Sequence, residues 1–401
     1  MQGPLQVLVL LRLPIRFLST ARAGWCPKEC ASQRGYHRKS YRASLSNMPS
    51  GLVLTAPEDL PELTEFLLGV FHLSSDAPFV RPEMIEWKYF SPRPDWTGSR
   101  SYVMRSEGRI LAHGCVVPVT FRPRAAAQGP PGLVTGMRVI DWAGGRQAPA
   151  AGVRIMRELA GLTDAVMAIG GSPDAVRVFP MMGFQHCGNA EVFARVVRPW
   201  RQFRSDPYPR GWKAPLRLAR STLFSLTPLP AAPAGWTRQA VTAFDQSICS
   251  ALEFDAASFT TTARSPALLN YMLGCPGAAF SGFLLRQGDG VRGYFLLSHV
   301  AGQTRIAEVR VDSERTEDWQ AAFALATRQA AALPATCEIL AVASIRQGIE
   351  SLRRNGYRLC RHDPIFLLDP GRRLAGVPDL NLDLLVGDES YIHVPGYPFE
   401  M

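Results

Sequence analysis

Residues 166–184 read VMAIGGSPDAVRVFPMMGF, and this stretch decides the fold. Its first four residues form an apolar run that predicts a buried strand, and the paired glycines that follow end it. Ser172 and Pro173 then have the order of a helix N-cap and a first helical position. We expect the helix to continue to about Met182 and to stop at Gly183, because glycine tolerates the backbone that ends many helices. The stretch therefore predicts a strand-to-helix turn of an α/β sheet.

A second helix start is predicted about 20 residues upstream. Residues 147–152 read QAPAAG, a run of small side chains that opens the helix expected over residues 153–162. A helix start leaves about four backbone N–H groups unpaired and carries a partial positive charge. Small side chains let a phosphate approach these donors, although Pro149 removes one of them. The two helix starts together predict a site for a phosphate-bearing cofactor, and the alternative is an ordinary Ala- and Pro-rich loop.

These two spacings resemble the GNAT superfamily of acyltransferases. The phosphate loop of that family reads Gln/Arg-x-x-Gly-x-Gly/Ala, and its next element often reads Asn-x-x-Ala-x-x-x-Tyr-x-x-x-Gly-Phe. The matching positions here are Gln147, Ala150 and Gly152 for the loop, then Ser172, Ala175, Phe179, Gly183 and Phe184. Three positions depart from the pattern, since alanine replaces the middle glycine, serine replaces asparagine and phenylalanine replaces tyrosine.

The resemblance implies an acyl-CoA co-substrate, acetyl-CoA or another, and an acyltransferase in which an amine attacks the thioester directly in a ternary complex. Such an enzyme mainly positions the two reactants and binds the oxyanion. The strand predicted over residues 133–140 would then bind the pantetheine arm and the thioester carbonyl through its main chain. The cofactor-binding residues expected on this basis are Val139, Ile140, Gln147, Ala148, Ala150, Ala151, Gly152, Val153, Ser172 and Phe179.

Candidates for acid–base chemistry are few. Phe179 stands where the family often has a tyrosine that protonates the leaving thiolate, and a phenyl ring transfers no proton. A thiol with a pKa of about 8.5 can leave without such help. His113, in a predicted strand, and Glu86, on an early predicted helix, are the candidate bases. The alternatives are a structural histidine and a solvated glutamate, and His186 is a further candidate base.

The second half of the chain repeats features of the first. PEMIEW at residues 82–87 aligns with PALLNY at residues 266–271, and the F-x-x-x-G-F of residues 179–184 aligns with the L-x-x-x-G-Y of residues 352–357. Self-similarity on this scale predicts two copies of one fold. After Val311 the chain reads DSERTEDWQ, whose acidic side chains would repel a diphosphate. We therefore expect the second copy to bind no cofactor and to serve a structural role or form one wall of the acceptor cleft.

The predicted fold class is α/β, with two tandem GNAT-like domains, each a mixed, mostly antiparallel sheet flanked by helices. The expected boundaries are 1–47 for a basic tail, 48–198 for the acyl-CoA-binding domain, 199–235 for a Pro-, Arg- and Ala-rich linker, and 236–401 for the second domain. One basic amphipathic helix is expected in the linker near residues 212–226. It either packs on the protein or rests on a membrane surface.

Most of the net positive charge lies at the N-terminus. The 401-residue chain has a net charge of +10, and residues 1–47 hold eight basic side chains and one acidic, so they account for +7. The nearly balanced remainder excludes a basic nucleic-acid surface on the folded part, and we expect no nucleic-acid partner. The tail is expected to be disordered. A transit peptide, a start codon assigned too early with Met48 as the true start, and a tail that binds nucleic acid are open alternatives.

Composition narrows the remaining classes of protein. With 47% hydrophobic and 19% charged residues, the chain has the composition of a globular protein. No segment reaches the roughly 18 apolar residues of a membrane span, and the eight cysteines show no zinc spacing. We therefore expect a cytoplasmic protein with no integral membrane span and no metal, and the GNAT resemblance implies that it is an acyltransferase with a small-molecule amine as partner. The alternative is a GNAT-like protein that has lost its chemistry and binds a ligand or partner.

Overall fold

The structure is a computed structural model that describes residues 51–124, 132–205, 211–231, 233–374, 379–393 and 399–401. The basic tail and the Met48 start lie outside these residues, so all the interpretations of the N-terminus stay predictions. Within the described residues, the strands join into one mixed sheet with helices on its faces.

The first half of the chain supplies the strands at one end of this sheet. Its elements, in chain order, are β1 (Leu52–Leu54), α1 (Leu60–Phe71), α2 (Pro82–Ile85), which continues as a π-helical turn (Glu86–Phe90), β2 (Ser101–Ser106), β3 (Arg109–Arg122), β4 (Val134–Gly144), α3 (Pro149–Leu159), β5 (Ala165–Ile169), α4 (Pro173–Met181) and β6 (Gln185–Val196). Helices α5 (Pro199–Arg204) and α6 (Ala214–Ser225) then lead to the second half.

The second half of the chain supplies the strands at the other end. Its elements are β7 (Trp236–Val241), α7 (Cys249–Leu252), β8 (Thr260–Thr262), α8 (Pro266–Leu273), β9 (Ala279–Gln287), β10 (Gly290–Val300), β11 (Gln303–Val311), α9 (Thr316–Ala332), β12 (Glu338–Ala343), α10 (Arg346–Arg354), β13 (Arg358–Leu368) and β14 (Leu380–Asn381). Strand β8 pairs with β3 and β14, off the main path of the sheet.

The two halves follow the same order of elements. Three antiparallel strands, β2–β3–β4 or β9–β10–β11, form the centre of each half. A helix then leads to a parallel strand, through α3 from β4 to β5 and through α9 from β11 to β12. A second helix and a last strand complete each copy. The structure thus confirms the predicted α/β class and the two copies of one mixed, mostly antiparallel sheet.

Each copy gives its last strand to the other. The sheet order is β1-β2-β3-β4-β5-β13-β6-β12-β11-β10-β9-β7. Strand β6 of the first copy lies antiparallel to β12, with Phe193 opposite Ala341. Strand β13 of the second copy lies antiparallel to β5, with Phe366 opposite Ala168. The division at residues 198 and 236 therefore remains a proposed division of the sequence, because the strands of the two copies cross it.

The stretch around β5 folds as predicted. Gly170 and Gly171 have φ angles of 62° and 120°, which favour glycine, and they end the strand. The Ser172 hydroxyl caps α4 by accepting a hydrogen bond from the Ala175 amide at 3.1 Å. Gly183 ends the helix with a φ of 94°. The helix start upstream differs slightly from the prediction, since α3 begins at Pro149.

Both faces of the sheet are covered. All five residues of β5 are buried, as expected for a central strand with apolar side chains on both faces. On one face, Ile155 and Leu159 of α3 are fully buried against the first-copy strands. On the other, Leu63 and Leu67 of α1 are equally buried. This packing fixes the ends of β4 and β5, where the candidate site lies.

The exchanged strands predict that the two cores depend on each other. Phe193 is fully buried in the core of the second copy, and Phe366 is buried in the core of the first. We expect Phe193→Ala and Phe366→Ala each to lower the free energy of unfolding by about 3–5 kcal/mol. We also expect unfolding to stay a single transition, because each lost ring weakens both halves of one sheet. Urea titration followed by fluorescence and circular dichroism measures both quantities.

Leu359→Ala serves as the control, because Leu359 lies on β13 with 39% of its surface exposed. It should change the free energy of unfolding by less than about 1 kcal/mol. Two separate unfolding transitions in Phe193→Ala would contradict the mutual dependence of the cores.

Candidate functional site

Strands β4 and β5 separate after a short parallel contact. They pair only at Gly136–Ala165, Met137–Val166 and Arg138–Met167. Beyond these pairs β4 continues to Gly144, whereas β5 pairs with β13 on its other edge. On the edge that faces β5, residues 139–144 of β4 therefore have no strand neighbour among the described strands, although β3 pairs with their other edge. We call the space on this edge the opening. Val139 and Ile140, expected to bind the pantetheine arm, are the first residues of β4 in this opening.

A β-bulge shapes β4 at the same place. The pairing of β3 with β4 shifts between His113 and Cys115, and Asp141 has a φ of 49°, in the left-handed region. A bulge bends a strand and increases its local twist, and here it turns β4 away from β5. The bulge therefore accounts for the opening.

The start of α3 packs against the end of β4. Gly144 and Gly152 lie so close that a Cβ on Gly152 would be 3.0 Å from the Gly144 nitrogen, and a Cβ on Gly144 would be 2.9 Å from the Gly152 nitrogen. Both positions therefore need glycine for this close approach. As a result, the first turn of α3 lies beside the open edge of β4.

Two backbone donors at this helix start are free. The amide of Ala148 donates to the Gly145 carbonyl and that of Ala151 to the Ala148 carbonyl, and no side chain caps α3. The N–H groups of Gln147 and Ala150 make no hydrogen bond within the described part of the chain. Two unpaired donors at the positive end of a helix dipole are suited to an anion.

Four aromatic rings occupy the space beside this loop. The Trp142 ring stacks on Phe179 with 5.8 Å between centroids, and its Nε1 donates to the Gly152 carbonyl at 2.5 Å. Phe179 also contacts Phe184 and Phe366, each at 5.2 Å. All four rings are buried in one cluster. They connect β4 to α4 and β13 across the opening, so the crevice beside the loop is closed by side chains.

The corresponding strands of the second copy also separate. Strands β11 and β12 pair from Gln303–Glu338 to Ile306–Ala341 and then separate. Between them lies a cavity of about 10 Å³, which is room for roughly one water molecule. Trp319 and Phe323 of α9, Glu308 of β11 and Asp383 line this cavity. The expectation that this copy binds no cofactor stays a prediction.

Comparison with known proteins gives a likeness in fold. No family profile matches the chain, and no curated protein matches it. A GCN5-related N-acetyltransferase from Anabaena variabilis superposes with a TM-score of 0.52 at 12% identity, over 80% of this chain and 72% of that one. A conserved protein from Enterococcus faecalis, described as a probable N-acyltransferase, gives a TM-score of 0.51 at 13% identity, over 81% of this chain and 73% of that one. This chain has a tandem GNAT fold.

Within this GNAT fold, His113 is held as a structural residue. It is fully buried, its Nδ1 lies 2.9 Å from the Asp141 carbonyl, and its Nε2 lies 2.9 Å from the Ser101 hydroxyl. Burial lowers its pKa from 6.5 to about 4, despite the nearby Asp141 carboxylate. A neutral imidazole with both nitrogens occupied has no free lone pair for a substrate proton. The geometry favours the structural alternative for His113.

The other candidate bases lie at the surface. Glu86 is exposed on the π-helical turn after α2, whereas His113 is fully buried. His186 is exposed on β6, with its ring 5.7 Å from that of Phe366. The hydroxyl of Ser172 is engaged in capping α4. The structure therefore does not bring the predicted bases together around one reacting atom.

The sequence reasoning missed a buried ionic cluster at the bulge of β4. The ammonium of Lys88 lies 2.5 Å from Asp141 and 3.7 Å from Asp388, and the Tyr89 hydroxyl donates to Asp141 at 2.9 Å. Burial alone would lower the pKa of Lys88, but the two carboxylates outweigh it and raise that pKa. Burial raises the pKa of Asp388 to about 6. The only sequence signal was a charged residue directly after the apolar part of β4.

A matching cluster lies in the second copy. Glu308, fully buried on β11, accepts from Arg264 at 3.1 Å and from Arg310 at 2.8 Å, and Asp383 lies 3.5 Å from Arg264. Asp383 and Asp388 both come from the segment of residues 379–393, which thus reaches the openings of both copies. Among the described residues, no group of His, Cys, Asp and Glu could hold a metal ion.

Breaking the Lys88–Asp141 pair should be costly. Lys88→Met leaves a buried carboxylate without its cation, so we expect the free energy of unfolding to fall by about 3–5 kcal/mol. The double variant Lys88→Met/Asp141→Asn should recover part of this loss, because no unpaired charge remains at that position. Urea titration of the three proteins measures the difference.

Arg346→Met is the control, since Arg346 pairs with Glu350 at 2.7 Å on the exposed surface of α10. Its loss should cost no more than about 0.5 kcal/mol. If Lys88→Met costs as little as Arg346→Met, the buried cluster does not stabilise the fold.

Proposed function

We propose that the first copy binds acyl-CoA and transfers its acyl group to an amine. One observation carries this proposal: β4 and β5 separate beside a helix start where the amides of Gln147 and Ala150 are free, and the Trp142 ring fills the space between the strands. The GNAT fold is compatible with a general role of this kind, and the similarity itself, at 12–13% identity, extends to architecture alone. The small-molecule amine, the acetyl group and a cytoplasmic location belong to the same proposal.

The diphosphate of the cofactor would bind at the first turn of α3. The free amides and the helix dipole supply a positive potential, and the small side chain of Ala148 keeps the approach unobstructed, whereas Ala151 is buried against the core. Arg146, exposed in the same loop, donates to His72 at 2.9 Å and adds a guanidinium nearby. Gly152 and Val153 are buried and hold the turn against β4.

The pantetheine arm would lie along the open edge of β4. The main-chain groups of residues 139–144 on this edge have no strand partner, so they can bond the amides of the arm and the thioester carbonyl. Such donors stabilise the oxyanion that forms when an amine attacks the thioester, and they hold both reactants in position. Trp142 occupies this path, so the arm can enter only after the indole leaves Phe179.

The proton of the attacking amine would have to be taken by a group other than His113, whose ring nitrogens are both hydrogen-bonded. The leaving thiolate needs no acid, because a thiol with a pKa of about 8.5 is a good leaving group near neutral pH. Exposed Glu86 remains the proposed base, and the amine can also arrive already deprotonated. Among the described helices, none combines the length and apolar character needed to cross a bilayer.

A second candidate is a ligand-binding protein without chemistry. Two observations favour it: Phe179 is fully buried and carries no acidic proton, and His113 has both ring nitrogens occupied. Both candidates bind their ligand at the start of α3, and they differ only in whether an acyl group is then transferred.

Calorimetry with acetyl-CoA tests the shared binding step. We expect binding by the full chain, and we expect Ala150→Glu to weaken it at least about tenfold, because the new carboxylate would face the diphosphate. Ala332→Glu, at the exposed end of α9, is the matched control and should bind as the unmodified protein does. Absence of binding by the unmodified chain would reject both candidates.

A thiol-release assay over a panel of amines then separates the two candidates. Release of CoA that depends on the amine and falls in Ala150→Glu supports the acyltransferase. Tight binding with no release for any amine supports the ligand-binding protein instead.

Movement of Trp142 gives an independent prediction. We expect acetyl-CoA to change the tryptophan fluorescence of the unmodified protein, since the indole must exchange the Phe179 ring for a new environment. Trp142→Phe should remove most of this change while retaining cofactor binding. An identical fluorescence change in Trp142→Phe would show that the indole does not move.

A further inference from the structure

Helix α6 turns an apolar side toward solvent. Trp212, two residues before the helix, is 79% exposed, Leu216 and Leu223 are 64% and 63% exposed, and Leu226, directly after it, is 71% exposed. Spacings of four, seven and three residues place these side chains on one side of a helix with 3.6 residues per turn. We call these four residues the α6 apolar stripe.

The opposite side of α6 already has its contacts. Ala214 and Ser221 are buried, and Phe224 packs against the apolar cluster that contains Val192 and Ala194 of β6. The helix is therefore seated on the sheet without help from the stripe. A surface helix of a globular protein normally has the reverse arrangement, so the outward stripe needs another explanation.

Basic side chains flank the stripe. Lys213, Arg217 and Arg220 follow one border of it, and residues 211–231 contain no acidic side chain. The ion pairs among the described residues include none from these three groups. The Lys213 ammonium lies 5.1 Å from the Trp212 ring, at the border between apolar and basic surface. The surface thus combines large apolar groups with free positive charge.

We propose that α6 binds the surface of an anionic membrane, with the stripe inserted among the lipid chains and Lys213, Arg217 and Arg220 on the phosphate groups. A helix with an apolar side and basic flanks is suited to the boundary between headgroups and acyl chains. Tryptophan is well placed at this depth because its ring is both apolar and polar. A second copy of the chain fits less well, since it would bring the same basic side chains face to face.

Vesicle flotation of the full chain tests the proposal without any acyl-CoA, so its failure is distinct from failure of the proposed acyl transfer. We expect the protein to bind vesicles of phosphatidylcholine and phosphatidylglycerol much more tightly than vesicles of phosphatidylcholine alone. We expect Leu216→Gln/Leu223→Gln to reduce binding at least about tenfold, because two apolar side chains no longer insert.

Val53→Gln/Leu54→Gln is the matched control, since these β1 side chains are 46% and 52% exposed and lie outside α6. It should bind vesicles as the unmodified chain does. Lys213→Ala/Arg217→Ala/Arg220→Ala should remove most of the preference for the anionic vesicles.

Three results would overturn the proposal. Undiminished binding by Leu216→Gln/Leu223→Gln would assign the vesicle contact to another part of the chain, such as the basic N-terminal tail. Absence of binding to the anionic vesicles would reject a membrane partner. If Leu216→Gln/Leu223→Gln binds vesicles as the unmodified chain does but has a lower molecular mass by light scattering, the stripe is a contact between protein chains.

Discussion

The exchange of β6 and β13 is the constraint on which the rest of the structure depends. A strand that leaves its neighbour exposes a row of backbone N–H and C=O groups on that edge, and only the bonds on its other edge then keep it in the sheet. Strand β5 leaves β4 after three residue pairs and keeps its bonds because β13 of the second copy lies on its far side. Strand β12 is held in the same way by β6. The exchange therefore keeps β5 and β12 in the sheet beyond the points where they separate from β4 and β11.

The bulge of β4 is held by several groups at once. Asp141 has a positive φ, which costs energy for a residue with a side chain and persists only where its surroundings enforce it. Its carboxylate is bound by Lys88 and Tyr89, and its backbone carbonyl is hydrogen-bonded to Nδ1 of His113. These contacts explain why an apparently catalytic histidine has no free nitrogen: it maintains the bend that separates β4 from β5.

Local signals in the sequence were sufficient to predict the helices and strands, but not which strands pair with each other. Gly170, Ser172 and Gly183 have the conformations predicted for them, because capping and turn chemistry act over a few residues. The exchange of strands was not predicted, since pairing between distant strands leaves no local trace. The repeat did predict two copies of one fold, but not that the aligned residues Trp87 and Tyr271 stack on each other, with 4.7 Å between centroids.

The same limit applies to the site and to α6. Periodicity indicated an amphipathic helix in the linker, but it could not tell which side would find a partner on the sheet. Burial of His113 and the contact of Lys88 with Asp388 depend on segments far apart in the chain. By contrast, the free amides at α3 follow directly from the small residues and the proline at its start.

Phe179 connects the exchange of strands to the chemistry. Its ring is fully buried and contacts Phe366, which reaches this core only because β13 is exchanged. A tyrosine at this position would bury a hydroxyl among Trp142, Phe184 and Phe366, and an unpaired buried hydroxyl costs about 1–3 kcal/mol. Phenylalanine is therefore the residue that this packing favours, whatever the chemistry nearby. It follows that an acyl transfer at this site must release its thiolate without a proton from α4, which the ordinary pKa of a thiol permits.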